Sequence, residues 1–291
     1  MMVSCARYAQ NGTQIAQPQS LPRKINSENK RHATAAGSPT TKSSLFEVPI
    51  NLPLAETLEL VTAGPPAQAP VDSASYQTGL SPGSLFSIFG PTNWVNREQT
   101  AGSSDLPTTM NGVMVSINGR PAPLLYVGPN QINGQIPYET AASGAIAQVI
   151  ANGISAAQIP FTVSSVAPRI FSGEGNLCIS QNDDGTLNAS TNPAKAGRYI
   201  GAYLVGIGAV TPSVSTGAPA RSDPHSIPPG PVSALLGGRS VIPTFLGLVP
   251  GAIGLAVVDM AVPSDLASGL HSLSITFGNA TSNSCQIAVG Q

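Results

Sequence analysis

The sequence predicts an all-β chain: two β-sandwiches in tandem behind a polar N-terminal tail. Three observations carry that expectation. Short aliphatic runs alternate with Gly, Pro and Asn turn signals at roughly 8–12-residue spacing, the pattern of a sandwich or barrel. The order of those runs repeats once, so that Pro137 and Pro263 stand 126 residues apart. Charged residues make up only 9% of the 291 residues, while glycines number 30 and prolines 27. An ordinary globular domain carries about 25% charge, so this composition points to a turn-rich, weakly charged β protein.

Residues 1–45 hold Arg7, Arg23, Lys24, Lys30, Arg31 and Lys42 but a single acid, Glu28. They show no sustained hydrophobic period and read as a disordered basic tail, 1–45. The rest of the chain is net acidic. It offers no basic surface for phosphate contacts, so no nucleic acid is expected as a partner. No stretch reaches 18 consecutive apolar residues, so no transmembrane segment is expected. The polar run Ala9–Gln14 interrupts any signal-peptide core, and no secretory signal is visible. Segment 46–70 comprises a short apolar stretch and a Pro-rich linker. Pro49 and Pro53 argue against a helix there, and Gly64–Pro70 reads as a stiff connection.

The first sandwich is placed at 71–167. Leu85–Phe89 is bounded by Pro82-Gly83 and Gly90-Pro91. Val113, Val115 and Ile117 alternate up to Asn118-Gly119, a type I′ hairpin signal because both residues tolerate positive φ. Leu124–Val127 and the period-2 run Gln131–Ile136 follow. Ala145–Ile150 and Ile159–Val163 flank a second hairpin turn, Asn152-Gly153.

The second sandwich, 168–291, repeats the order. Tyr199–Val205 corresponds to Leu85–Phe89, Gly237-Gly238 to Asn118-Gly119, and Ile287–Val289 to Phe161–Val163. A repeat near 120 residues is one sandwich long, so each half is expected to bury its own core. The Pro- and Ser-rich stretch 217–230 reads as a long mobile loop.

Cys5, Cys178 and Cys285 form no metal spacing. Two readings stand for the latter two. They are isolated half-buried thiols, or they pair, because the first strand of a sandwich often lies beside its last. A Cys178–Cys285 bond would close a loop of 107 residues.

Candidate chemistry is sparse. His32, His225 and His271 lie far apart in sequence, and no nucleophile elbow is present. Asp183-Asp184 lack the downstream glutamate of a calcium loop, so an Asx turn at Gly185 is the simpler reading. Gly206-Ile207-Gly208 lacks the third glycine and following helix of a phosphate loop. No catalytic residue, no metal site and no cofactor is therefore expected. Trp94, the only tryptophan, sits in a polar loop. It is the candidate ligand contact, by stacking on a sugar or anchoring a partner, though it also reads as folding back over a sandwich end. Tyr126 is expected in the core or at a sheet corner.

Several ordered motifs point further. They include Ser81-Pro82-Gly83-Ser84-Leu85-Phe86, Ala122-Pro123-Leu124-Leu125-Tyr126-Val127, Gln131-Ile132-Asn133 and Ala167-Pro168-Arg169-Ile170-Phe171. Asn192-Pro193-Ala194-Lys195-Ala196-Gly197 and Pro250-Gly251-Ala252-Ile253-Gly254-Leu255 belong with them. Over about residues 71–291 the chain resembles the Solibacter-type uncharacterised C-terminal domain family of bacteria. The resemblance implies two immunoglobulin-like sandwiches on a secreted or surface protein, and it implies no activity. Ala256-Val257-Val258-Asp259 departs from the more polar pattern expected there. The function expected is a non-catalytic extracellular or cell-surface structural or adhesion-type module, its partner a surface glycan or protein. A carbohydrate-binding module is the alternative, and a fragment of a secreted hydrolase stands behind it.

Overall fold

The computed structural model describes residues 67–90, 94–102 and 104–291. The tail 1–45, with Cys5 and His32, and the apolar stretch to residue 66 lie outside the described residues. Turn chemistry and alternation build the strands as the sequence leads one to expect. Asn118 and Gly119 sit at φ 51° and 77°, and Gly237 and Gly238 at 57° and 77°. Both pairs adopt the positive φ that a tight hairpin requires.

The chain first runs through β1 (Val71–Asp72), β2 (Leu85–Phe89), β3 (Gln99–Thr100), β4 (Thr109–Met110) and β5 (Val113–Ile117). It continues through β6 (Arg120–Pro121), β7 (Leu124–Val127), β8 (Gln131–Gln135), β9 (Gly144–Ala151) and β10 (Ile154–Thr162). One sheet has the order β1-β2-β8-β7-β3. The facing sheet has the order β10-β9-β5-β4, with β6 against β5. In immunoglobulin lettering these are A-B-E-D and G-F-C, so the fold is an immunoglobulin-like sandwich. Phe86, Ile88, Val113, Val115, Leu124 and Ile132 fill the space between the sheets with no exposed surface. Residues 67–70 run beside β2, where the Gln68 N–H donates to Phe89 O at 2.7 Å.

The second pass begins with β11 (Arg169–Ile170), β12 (Ser180–Asn182), β13 (Ala194–Lys195), β14 (Tyr199–Val205) and β15 (Val232–Leu236). After β16 (Arg239–Val241) and β17 (Phe245–Leu248) come β18 (Ala256–Ala261), β19 (Gly269–Phe277), β20 (Ala280–Thr281) and β21 (Cys285–Gly290). The sheets read β11-β14-β18-β17, with β12 on β14, and β13-β21-β19-β15-β16, with β20 on β19. The lettering is again A-B-E-D and G-F-C, with β13 added in parallel to β21. A separate core of Ile200, Leu204, Leu236, Val258, Leu273 and Ile287 fills this sandwich. The two cores share no residue.

The stretch 217–230 departs from expectation. It is expected to be mobile, but its backbone is anchored near both ends, at Gly217–Ala220 and at Ser226–Ile227, with the exposed run 221–225 between them. Ala220 N donates to Ala252 O at 2.8 Å, and Gly251 N returns to Ala220 O at 2.8 Å. Thr211 and Ile227 exchange N–H···O bonds of 2.8 and 3.0 Å, and Leu248 N reaches Ser226 O at 2.9 Å. Proline and serine here serve an irregular segment pinned by backbone pairing at these anchor points. Among the described residues no helix is long and apolar enough to cross a membrane.

Candidate functional site

Of the two readings of Trp94, the structure fits the one in which it folds back over the sandwich end. The residue is only 6% exposed and belongs to the first core, and its backbone N–H donates to Pro129 O at 3.2 Å. A buried indole has no open face for a sugar, so Trp94 is a packing residue. Its burial comes from the sandwich end rather than from strand alternation. Tyr126 is half-buried on β7, between β8 and the short edge strand β3, and its hydroxyl donates to Glu98 Oε2 at 2.9 Å. Burial first, and the Glu98 carboxylate second, push that phenol up to about 12.

The remaining candidates are dispersed. His271 Nε2 lies 2.7 Å from Ala267 O, and His225 packs edge-on to Phe245. Asp184 Oδ1 accepts from the Thr186 hydroxyl at 2.6 Å and from Thr186 N at 3.0 Å, an Asx-type turn closed by Gly185. Those two bonds hold its carboxyl below the ordinary value. Asp183 pairs with Arg198 at 2.5 Å. Among the described residues no group of three or more His, Cys, Asp or Glu side chains is placed to hold a metal.

Cys178 and Cys285 are joined by a disulfide across 107 residues, with Cα atoms 5.1 Å apart. Both are buried. The segment before β12 runs parallel to β21 here, Leu177 pairing with Gln286 and Cys178 N donating to Gln286 O at 2.8 Å. The bond therefore staples the start of the second sandwich to its last strand.

A second functional feature is the joint between the sandwiches, which both fall in one compact unit. Gln135 is fully buried in the first sandwich. Its Oε1 accepts from Gly217 N at 2.7 Å, and its Nε2 donates to Gly83 O at 3.2 Å. Leu106 N donates to Gly217 O at 2.9 Å. Thr216 Oγ1 accepts from Tyr138 N and donates to Glu139 Oε2, each at 2.9 Å. On the other side Arg169 spans the junction. Its Nη2 donates to Thr78 O at 3.1 Å and its Nη1 to Pro168 O at 3.0 Å, while Nε lies 3.9 Å from buried Asp72. Gly206, at φ 86°, lets the connecting segment press on the end of β14: any Cβ there would collide with Ala167 O. Ala167 N donates to Gly206 O at 2.8 Å. The loop 211–230 is thus a strap that fastens one sandwich to the other.

The third feature is the outer face of the second sandwich's A-B-E-D sheet. Tyr199, Gly201 and Tyr203 alternate outward on β14, and Val257 and Asp259 on β18. Register places Gln181, Gly201, Asp259 and Phe245 in one row across four strands. Tyr199 is 54% exposed. The Tyr203 hydroxyl donates to Gln181 Oε1 at 3.2 Å, and Gln181 Nε2 donates to Gly185 O at 2.6 Å. Asp259 leans its carboxylate into the space a side chain at Gly201 would fill, Oδ1 lying 2.6 Å from that ideal Cβ position. Desolvation raises the Asp259 carboxyl above its ordinary value. Sequence reading noted Asp259 only as part of a departing strand; its signal was a lone acid at an outward position of an otherwise apolar run.

No protein-family model matches the chain. A search of curated proteins returns no match. Among solved structures, a surface glycan-binding protein B of Bacteroides ovatus, in complex with a mixed-linkage heptasaccharide, is similar at 12% identity and TM-score 0.31. The match covers 72% of this chain and 43% of that one, so the chain spans under half of that protein. Domains 5–6 of the S-layer protein SbsC match at 11% identity and TM-score 0.27, over 78% of this chain and 96% of that one. The Escherichia coli adhesin FdeC matches at 12% and 0.24, over 74% and 62%. At such scores the immunoglobulin-like fold of the chain stands on its own strand order.

Proposed function

We propose that the chain is a non-catalytic structural or adhesion-type module working outside the cell or on its surface, its two sandwiches held as one stiff unit. The observation that carries this reading is the buried Cys178–Cys285 disulfide. Such bonds persist in oxidising compartments and are rare where thiols are kept reduced. The strap from 211–230 to Gln135, Tyr138 and Glu139 adds to it, because a module that bears load or presents a partner gains from a fixed joint. The resemblance to the Solibacter-type C-terminal domain family points the same way.

Protease shaving of intact host cells, with lysed cells as control, tests the location. Peptides from 71–291 are expected from intact cells, with Cys178 and Cys285 recovered as a linked pair. Release only after lysis, with both thiols alkylated, would overturn the reading. Turnover of glycan or ester panels by the purified chain would overturn its non-catalytic half. Carbohydrate binding is a second reading, moved from Trp94 to the Tyr199 face.

A further inference from the structure

We infer that the outer face around Gly201, between Tyr199 and Tyr203, binds a neutral glycan. Asp72 and Asp259 are both withdrawn from full exposure, and they differ in kind. Asp72 is fully buried and takes bonds from Ala74 N, Ser75 N, the Ser75 hydroxyl and Gln77 N at 2.6–2.9 Å. The half-buried carboxylate of Asp259 has no donor among the described residues. Partly burying a carboxylate without protein donors costs solvation, and at Asp259 no protein donor offsets it. The group is poised for donors that arrive from outside.

The surroundings say which donors fit. Arg198, the cation next in chain to Tyr199, is engaged by Asp183 at 2.5 Å. The face thus presents an acceptor, and its neighbouring cation Arg198 is already paired, which disfavours an anionic ligand. Tyr199 offers an exposed ring, and Tyr203 is held by Gln181, whose amide is in turn fixed by Gly185. The two tyrosines are four residues apart on one strand face, about 13 Å at the strand rise. Between them Gly201 carries no side chain of its own, and the Asp259 carboxylate and Val257 lean over it, 2.6 and 3.2 Å from its ideal Cβ position, so a sugar ring spanning the two tyrosines would rest on the Asp259 oxygens. A pyranose stacked beside Tyr199 directs ring-edge hydroxyls at the Asp259 oxygens, giving charge-assisted hydrogen bonds. Gln181 acts as a positioning residue, through Tyr203.

The site stands on geometry independent of where the chain resides, so its failure and the failure of the export reading are separate results. The test is affinity electrophoresis of the full chain in gels holding β-glucan, xylan or galactomannan, with alginate as the anionic comparison. Retardation is expected in at least one neutral polysaccharide and not in alginate. Asp259→Asn and Tyr199→Ala should each weaken it about tenfold. Leu270→Ala, an exposed position on the other sheet, should leave it unchanged. Asp259→Asn relieves a buried charge, so its thermal melt should not fall, which separates lost binding from lost fold. The proposal is overturned if no neutral polysaccharide retards the chain or if both variants bind as the parent does. Capture of an oligolysine peptide through Asp259 in place of any glycan would also overturn it and assign the face to a cationic partner.

Discussion

The two sandwiches share a strand order and differ in how they treat the edge of the G strand. In the second, the edge of β21 is covered. Cys178 N takes Gln286 O, β13 runs parallel alongside, and Asn188 pairs with both backbone groups of Ala288. Asn188 Nδ2 donates to Ala288 O at 2.8 Å, and its Oδ1 accepts from Ala288 N at 2.9 Å. The disulfide then locks that cover in place. In the first sandwich, β10 pairs with β9, and a parallel bridge from Leu80 reaches the chain just past its end, at Val163. Its register shifts between Ser155 and Gln158, and Pro160 pairs with Ile146, whose own N–H and C=O are taken by Asn118. Pro160 therefore faces its missing N–H outward, where an incoming strand would need a donor. One fold meets the same hazard twice, once by covering the donors and once by removing one.

The largest way to break this contrast is to remove the staple. Cys178→Ala with Cys285→Ala should cost roughly 4–5 kcal/mol by the chain entropy of a 107-residue loop. Chemical denaturation measures it, and a cost under 1 kcal/mol would mean the hydrogen-bonded cover suffices alone. Asn188→Ala should cost about 3 kcal/mol, since it strands both backbone groups of Ala288 in a buried site. Hydrogen exchange at Ala288 should accelerate in the same variant. Gln135→Ala should cost about 2 kcal/mol by leaving Gly217 N and Gly83 O unpaired. Calorimetry should then resolve two transitions where the parent shows one.

A smaller effect belongs to Asp259. Its carboxyl is raised in the fold by desolvation. The neutral form is thus favoured by folding, and the associated stability is full below the ordinary carboxylate value and lost as pH rises through the raised one. Asp259→Asn should melt slightly above the parent near neutral pH, and the gap should close in acid. A gap that widens in acid would contradict the assignment. The smallest stability change is expected for Pro160→Val, which restores an outward N–H at the β10 edge. Its melting temperature should stay near that of the parent, while sedimentation should show concentration-dependent self-association.

What the sequence made legible was local chemistry. Asn118-Gly119 and Gly237-Gly238 announce their turns because positive φ is a property of those residues themselves. Alternation in Val113–Ile117 and Tyr199–Val205 announces which side chains turn inward. The strap 211–230 was illegible for the opposite reason. The side-chain-mediated partners of Thr216 and Gly217 stand 77 to 82 residues away and Leu106 stands farther still, and nothing in a Pro- and Ser-rich run signals them. Trp94 left two readings open, because its polar neighbours describe a loop and not what the loop covers; its burial fits the one in which it folds back over the sandwich end. The Tyr199–Asp259 face needs the register of β12, β14 and β18 together, which no single stretch of sequence contains.

The central claim is a single stiff unit made of two sandwiches, and backbone 15N relaxation of the full chain tests it most directly. One rotational correlation time shared by residues in β2–β10 and β14–β21 is the predicted result. Two distinct correlation times, with raised mobility at Thr216 and Gly217, would show the sandwiches moving separately and contradict it.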